Sequence, residues 1–347
     1  MAAAAKHSDP VGAANKISQA WMQNRSRKSN LFLAIWGIAS VAILVYGLVA
    51  NPYYIRIGIS TLLAMILAVT WDMVSYSGQL SLGHAAFFGT GAYVGALSFT
   101  KLNWNLLASL IPAAIIGIVL ALIIGRISIR LQGAYFAIAT FAFAEAMRVL
   151  VLLAAGLTNG PLGVTVLDAP PFPVQTSPQL AIFVYFLLLL EAVVLVNVWL
   201  RKSRWNFAFR AIGESEAAAA TSGVSIRNTR LISFCISAMF VSMAGAIYSH
   251  YITYIDPTSV YSVQTSVVAI IYAVFGGVNT LAGPLVGAAL LSPIGEALRV
   301  ALGPASLLVY GAALLLTIIF IPGGIMGLLD MVTARFSKRA GSKQRGE

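Results

Sequence analysis

Glu145 and Arg148 stand three residues apart inside an apolar run, a spacing that puts both on one face of a helix. An isolated charge in such a run is costly, so the two are expected to form an intramembrane ion pair. Such a pair either lines a pathway or locks helices together. Glu191 and Glu296 are lone carboxylates of the kind that proton-coupled carriers use, but each lies nearer the end of its run than the middle. His250 stands at the edge of another run. Cys235 is the single cysteine, so there is no internal disulfide and no cysteine cluster for a metal. The chain has no G-x-x-x-x-G-K-S/T, no H-E-x-x-H and no nucleophile elbow. ATP binding by a P-loop and these hydrolytic chemistries are thereby excluded, and no enzyme activity, cofactor or metal is expected.

Three stretches carry further polar residues in unusual company. Residues 75–97, SYSGQLSLGHAAFFGTGAYVGAL, are punctuated by Gly78, Gly83, Gly89, Gly91 and Gly95 and hold Gln79, Ser81 and His84. Glycine at this density either lets helices approach closely or lets the backbone leave helical geometry. Polar groups at membrane depth must be satisfied by protein or by a water-filled path. Residues 273–290, AVFGGVNTLAGPLVGAAL, combine Gly276, Gly277, Asn279 and Pro284 in a loose echo of the first stretch. Interruptions of this kind mark discontinuous helices near a substrate path. Residues 209–231, FRAIGESEAAAATSGVSIRNTRL, predict a short helix over Glu216–Thr221 that Gly223 ends, with Arg210, Arg227 and Arg230 flanking it. Two readings stand for it, a docking element for a cytoplasmic partner and an ordinary solvated connector.

The elements that hold these residues follow from composition. Of the 347 residues 59% are hydrophobic and 10% charged, and the mean hydropathy is +0.87. Soluble domains carry about 25% charged residues, so lipid is the expected solvent here. The net charge is +11, but the basic residues sit between apolar runs without aromatic interleaving, so nucleic acid is not an expected partner.

Ten runs are long enough to be candidate spans: 31–50, 54–73, 83–99, 105–125, 132–156, 179–200, 230–250, 264–280, 284–302 and 306–326. The glycine-interrupted runs at 83–99 and 264–280 are candidates for broken or re-entrant segments. With the N-terminus in the cytoplasm and strict alternation, Lys and Arg number five in 6–28, two in 126–130, six in 201–230 and five in 335–345. Cytoplasmic segments then hold 18 of the 22. That bias fits the positive-inside rule. The fold expected is an all-α polytopic membrane protein of about ten transmembrane helices, or eight if two runs do not cross, with both termini cytoplasmic. Its parts are a basic arm over 1–30 preceding an uncleaved first span, a transmembrane domain over 31–327 containing the cytoplasmic loop 201–229, and a polar tail over 328–347. The outer loop 157–178, rich in Gly, Pro and Thr, is expected to be ordered in turns.

The motif SGQLSLGHAAFFGTGAYVGAL resembles the signature of the LivH/LivM-type permeases of branched-chain amino acid ABC importers. GAYFAIATFAFAEAMRVL, GLTNGPLGV and FGGVNTLAGPLVGA match that family in the same order, and the resemblance covers roughly residues 55–325. The long basic arm and first span place it nearer the LivM branch. The resemblance implies a multi-pass subunit of the bacterial inner (plasma) membrane that forms a path with a second, LivH-like permease. Two cytoplasmic ATPase subunits would power it, and a periplasmic or extracellular binding protein would deliver the amino acid near Asp168 and Asp256. It makes residues 210–223 a version of the EAA loop that docks on the ATPase, with Arg210, Glu214, Glu216, Ala218, Ala219 and Gly223 its docking residues. Gly223 follows Glu216 by seven residues where the general pattern has six, so Ala218 and Ala219 hold the matching register. Cargo stays open between branched-chain amino acids and urea, amides or other amino acids. An ion-coupled carrier using Glu145, Glu191 or Glu296 is the competing class.

Overall fold

The computed structural model describes residues 10–128, 130–131, 133–166, 177–203 and 205–305, with short stretches between 308 and 328. It divides into two compact units, Met1–Val45 and Tyr46–Glu347. The first unit consists, where described, of one helix. Helix α1 runs from Pro10 to Val49, so helix begins inside the segment expected as an arm.

In the second unit, α2 (Pro52–Ser75) ends at a non-helical stretch, and α3 (His84–Leu102) follows. Then come α4 (Leu106–Ser128), α5 (Ala134–Leu153) and the single turn α6 (Ala155–Thr158). A 3-10 turn over Gly160–Leu162 leads to β1 (Val164–Thr165). Helix α7 (Pro178–Lys202) leads to the short helices α8 (Trp205–Glu214) and α9 (Glu216–Thr221). The chain continues with α10 (Ile226–Ile252), β2 (Tyr254–Ile255), the single turn α11 (Pro257–Val260), α12 (Val263–Gly276) and α13 (Gly283–Leu302). Nine of the ten apolar runs coincide with helices, and the tenth, 306–326, falls mostly outside the described residues, as does the tail 329–347. Among the described residues seven helical segments are long and apolar enough to cross a bilayer. The helix α3 is not one of the seven, because its glycines, His84 and threonines dilute its hydropathy.

Helix is the expected answer to a solvent that cannot hydrogen-bond the backbone. The helix α4 shows the accompanying inversion of side chains. It exposes Leu107, Ile111, Ile115, Val119, Ile123 and Ile127 at steps of four, and it buries Ser109, Ala113, Gly117 and Ala121. Large aliphatics therefore face the lipid while small residues let the helices pack.

Two helices organise the bundle: α10 packs on α2, α3, α4 and α7, and α2 packs on α7, α10, α12 and α13. A Cβ on Gly91 would lie 1.9 Å from the Ser242 carbonyl oxygen, so α3 and α10 touch backbone to backbone. A Cβ on Gly276 would lie 1.8 Å from the Gly283 carbonyl oxygen, which sets the same intimacy between α12 and α13.

The end of the bundle away from α8 and α9 carries a small cap. There β1 pairs antiparallel with β2, Val164 opposite Ile255. Val164, Val166 and Ile255 pack with Ala92, Tyr93, Ala96, Val260 and Tyr261 into a buried cluster. This is where the expected outer loop lies; its first part holds the end of α6, the 3-10 turn and β1 where turns alone were expected, and 167–176, with Asp168, lie outside the described residues.

Candidate functional site

The polar residues singled out in the sequence gather at two places where the backbone leaves helix. The first break, residues 76–83, follows α2. Helix stops where Gly78 takes a φ of 77°, a left-handed value that glycine adopts at no steric cost. The freed backbone groups find side-chain partners. The Leu82 N–H donates to Thr140 Oγ1 at 3.0 Å, and the Ser81 carbonyl accepts from Trp71 Nε1 at 2.9 Å. Ser266 Oγ donates to the Leu82 carbonyl at 2.8 Å and accepts from the Ala85 N–H at 2.9 Å. Gly83 donates to Ser81 Oγ, and His84 Nε2 lies 3.4 Å from Ser237 Oγ. Gln79 is 2% exposed, and among the described residues neither its amide nitrogen nor its oxygen has a partner; His84 Nδ1 is in the same position. A buried amide left this way costs about 1–3 kcal/mol.

The second break, residues 277–282, separates α12 from α13, with Gly277 at φ 115° and Asn279 at φ 62°. Here the partners are charged. Asp72, fully buried near the end of α2, accepts from the Asn279 N–H through Oδ1 at 2.6 Å and from Arg201 Nη2 through Oδ2 at 2.7 Å. Arg201 also donates to the Asn279 carbonyl at 2.8 Å, the Thr280 carbonyl at 3.2 Å and Asn197 Oδ1 at 3.0 Å. One guanidinium thus ties α2 and the last turn of α7 to the second break.

Arg201 opens the loop that carries α8 and α9, and a second arginine, this one buried, closes it. Arg230, in the first turns of α10, donates through Nε to the Ser77 carbonyl at 3.2 Å and through Nη2 to Glu216 Oε1 at 2.5 Å. Ser233 Oγ adds a bond to Ser77 Oγ at 3.2 Å. Tyr76 joins the two ends. Its ring lies 4.5 Å under the Arg201 guanidinium and packs on Phe209 of α8, and its hydroxyl donates to Asn206 Oδ1. Asn206, Phe209 and Ile212 form the buried face of α8, and Gly213 at its end approaches the backbone of Gly78.

The loop's outer face is small and plain. The helix α9 starts at Ser215, whose Oγ accepts from the Ala218 N–H, and ends before Gly223 at φ 75°, the bounds the sequence predicts. Ala217, Ala218, Ala220, Thr221, Ser222 and Gly223 are exposed. Ala219 is buried and Glu216 is held by Arg230, so these two expected docking residues face the bundle. Arg210 and Glu214 form an exposed pair at 3.4 Å across one turn of α8.

Glu145 and Arg148 pair on α5 away from both breaks, with Arg148 Nε donating to Glu145 Oε1 at 2.9 Å. Glu191 and Glu296 are half-buried, and each has contacts within the fold. His250 is buried, its Nδ1 against the Ala246 carbonyl at 3.0 Å. Asp72, Tyr76, Asn197, Arg201 and Asn206 escaped the sequence reading. One signal was present: Asp72 is the single acidic residue of the 54–73 run, and a lone carboxylate there requires a cationic partner.

The family model described as the branched-chain amino acid transport system permease component matches residues 53–318. The high-affinity branched-chain amino acid transport system permease protein LivM of Salmonella typhimurium is 27% identical over 345 residues, covering 92% of this chain and 79% of that protein. LivM of Escherichia coli is 28% identical over 324 residues, 86% of this chain and 75% of that protein. A probable ABC transporter permease protein of Sinorhizobium fredii, y4mJ, is 27% identical over 67% of this chain and 69% of its own length. No solved structure matches.

Proposed function

We propose, from the premise that this chain belongs to the branched-chain amino acid transport system permease family, that its α8–α9 loop is the seat of a separate ATPase and that Arg201 and Arg230 carry the motor's movement into the membrane. The chain is a permease subunit of an ABC importer and a multi-pass protein of the bacterial inner membrane. Its relatives are components of transporters and not enzymes. Its cargo is a branched-chain or related amino acid, handed over by an external binding protein at the end of the bundle that carries β1 and β2. A second permease chain completes the path, and two ATPase subunits dock from the cytoplasm. The positive-inside bias of the sequence supports cytoplasmic termini.

The observation that carries this reading is the double anchoring of one loop. Each end of the α8–α9 segment is fixed by an arginine, half-buried at Arg201 and buried at Arg230, and each grips main-chain carbonyls of a different helix break: Asn279 and Thr280 for Arg201, Ser77 for Arg230. A solvated connector has no need of either grip. The exposed small residues of α9 suit insertion into a groove on the motor, while Ala219 and Glu216 hold α9 to the bundle. Closure of the ATPase pair on ATP would push α8 and α9. The arginines would pass that displacement to residues 76–83 and 277–282, where few helical hydrogen bonds need to break. Gly78, Gln79, Ser81, Gly83, His84, Gly276, Gly277 and Asn279 are then hinge or path residues.

The test is Ala218→Arg on the exposed face of α9, with co-purification of the ATPase subunits and leucine uptake as readouts. Both are expected to fall about tenfold or more, since a charge forced into a docking groove costs over 1.4 kcal/mol. Association and uptake at the unsubstituted level would sink the docking assignment.

A further inference from the structure

The ion pair on α5 is misplaced for a lipid-facing helix. The helix α5 has 20 residues, about 30 Å, and Glu145 is its twelfth, so the carboxylate stands near the middle of the bilayer. Its side chain is nevertheless 43% exposed and that of Arg148 27%. Charged groups at that depth cost several kcal/mol against lipid, and they face a protein interior or a water-filled cavity. The neighbouring α4 shows what a lipid face of this protein looks like: an unbroken aliphatic stripe from Leu107 to Ile127. The exposed face of α5 carries Ile138, Phe141, Val149, Leu150 and Leu153 in the same way, but Glu145 stands in its midst.

The pair is also incompletely used. Arg148 Nε and Nη2 both donate to Oε1 of Glu145. Among the described residues, Glu145 Oε2 and Arg148 Nη1 make no hydrogen bond. We propose that this face of α5 lines the aqueous path and is a transit site for a zwitterionic aliphatic amino acid. The cargo's ammonium would meet Glu145 Oε2, its carboxylate would meet Arg148 Nη1, and its alkyl group would lie on Phe141, Val149 and Leu150. A zwitterion brings no net charge to a pair that has none, so it can exchange partners with it without leaving a bare charge in the membrane. Competition from the pair's own bond keeps the site weak, as a transit site must be if cargo is to leave it. The proposal rests on the amino-acid importer reading above.

The experiment uses the full complex, with both permeases and the ATPases, in proteoliposomes. Cys235→Ser removes the native thiol and Ala146→Cys places one on the exposed face beside Glu145. A charged, membrane-impermeant thiosulfonate is expected to label Ala146→Cys. Leucine at about ten times its Kd is expected to slow that labelling by about tenfold. Leucinol and 4-methylpentanoate, which each lack one charge of the zwitterion, are expected to give no protection. Adding Glu145→Gln or Arg148→Gln is expected to abolish protection by leucine while the ATPases still co-purify. Labelling by a lipid-soluble maleimide alone, absence of labelling, or labelling that leucine does not slow would overturn the site. The unsubstituted complex, assayed in parallel, separates the two readings. Leucine uptake there together with a failed protection test rejects the site alone. No leucine uptake rejects the importer reading on which the site depends.

Discussion

The two helix breaks solve one problem with different chemistry. Residues 76–83 hand their freed backbone groups mainly to neutral side chains: Thr140, Ser266, Trp71 and Ser81. Residues 277–282 hand theirs to a buried ion pair, Asp72 with Arg201. Hydrogen bonds to ionised groups are roughly twice as strong as neutral ones and fix geometry more tightly. The second break is therefore the stiffer of the two. The first gives more readily, and of the two it alone contains a buried amide, Gln79, that has no partner among the described residues. One loop grips both breaks, so movement of that loop meets a firm anchor at Arg201 and a softer one at Arg230. A lever needs that asymmetry, with one end holding while the other moves.

The sharpest way to break the comparison is Arg201→Ala. It strips the buried Asp72 of its cationic partner, a loss of about 3–5 kcal/mol, read as a lowered thermal midpoint of the detergent-solubilised permease. Adding Asp72→Ala is expected to return part of that loss, because the two residues act as one unit. A single-substitution loss below about 1 kcal/mol would remove the distinction between stiff and soft breaks.

Thr140→Val tests the first break on the same scale. It removes the acceptor for the buried Leu82 N–H and is expected to cost about 1–3 kcal/mol, less than Arg201→Ala. A larger effect at Thr140 than at Arg201 would reverse the order of the two breaks.

Gln79→Met gives the smallest stability effect and sharpens the comparison most. It replaces an amide without partners by an apolar chain of similar length, so the thermal midpoint is expected to hold or rise, by up to about 1 kcal/mol in stability. Leucine uptake by the complex is expected to fall if the Gln79 amide serves the path by meeting a partner in another state. A lowered midpoint with full uptake would make Gln79 a packing residue and nothing more.

How much of this the sequence carried depends on distance along the chain. Local information sufficed for the helix over Glu216–Thr221, because a capping serine and a terminating glycine act within a turn. It sufficed for nine apolar runs as helices, since each satisfies its backbone internally. For residues 75–97 the two readings of glycine turned out to divide the stretch between them. Gly78 lets the chain leave helix, while Gly91 lets α3 touch α10. The junction beneath the loop was not legible. Asp72 and Arg201 are 129 residues apart, and the near partner of Arg201 along the chain, Asn197, is neutral and does not point to a buried carboxylate. The helix α8 was hidden for a similar reason, since its buried face exists only where Tyr76 meets Asn206 and Phe209.

Read alone, the sequence carried a bilayer-crossing helical permease and a short helix in the loop before α10, because lipid forces each span to close its own hydrogen bonds and local capping signals bound the short helix. Only the tertiary structure decided which charges meet. Pairing across a bundle depends on the register and crossing of helices that lie far apart in the chain, and here that geometry placed one arginine at each end of the loop and one helix break under each arginine.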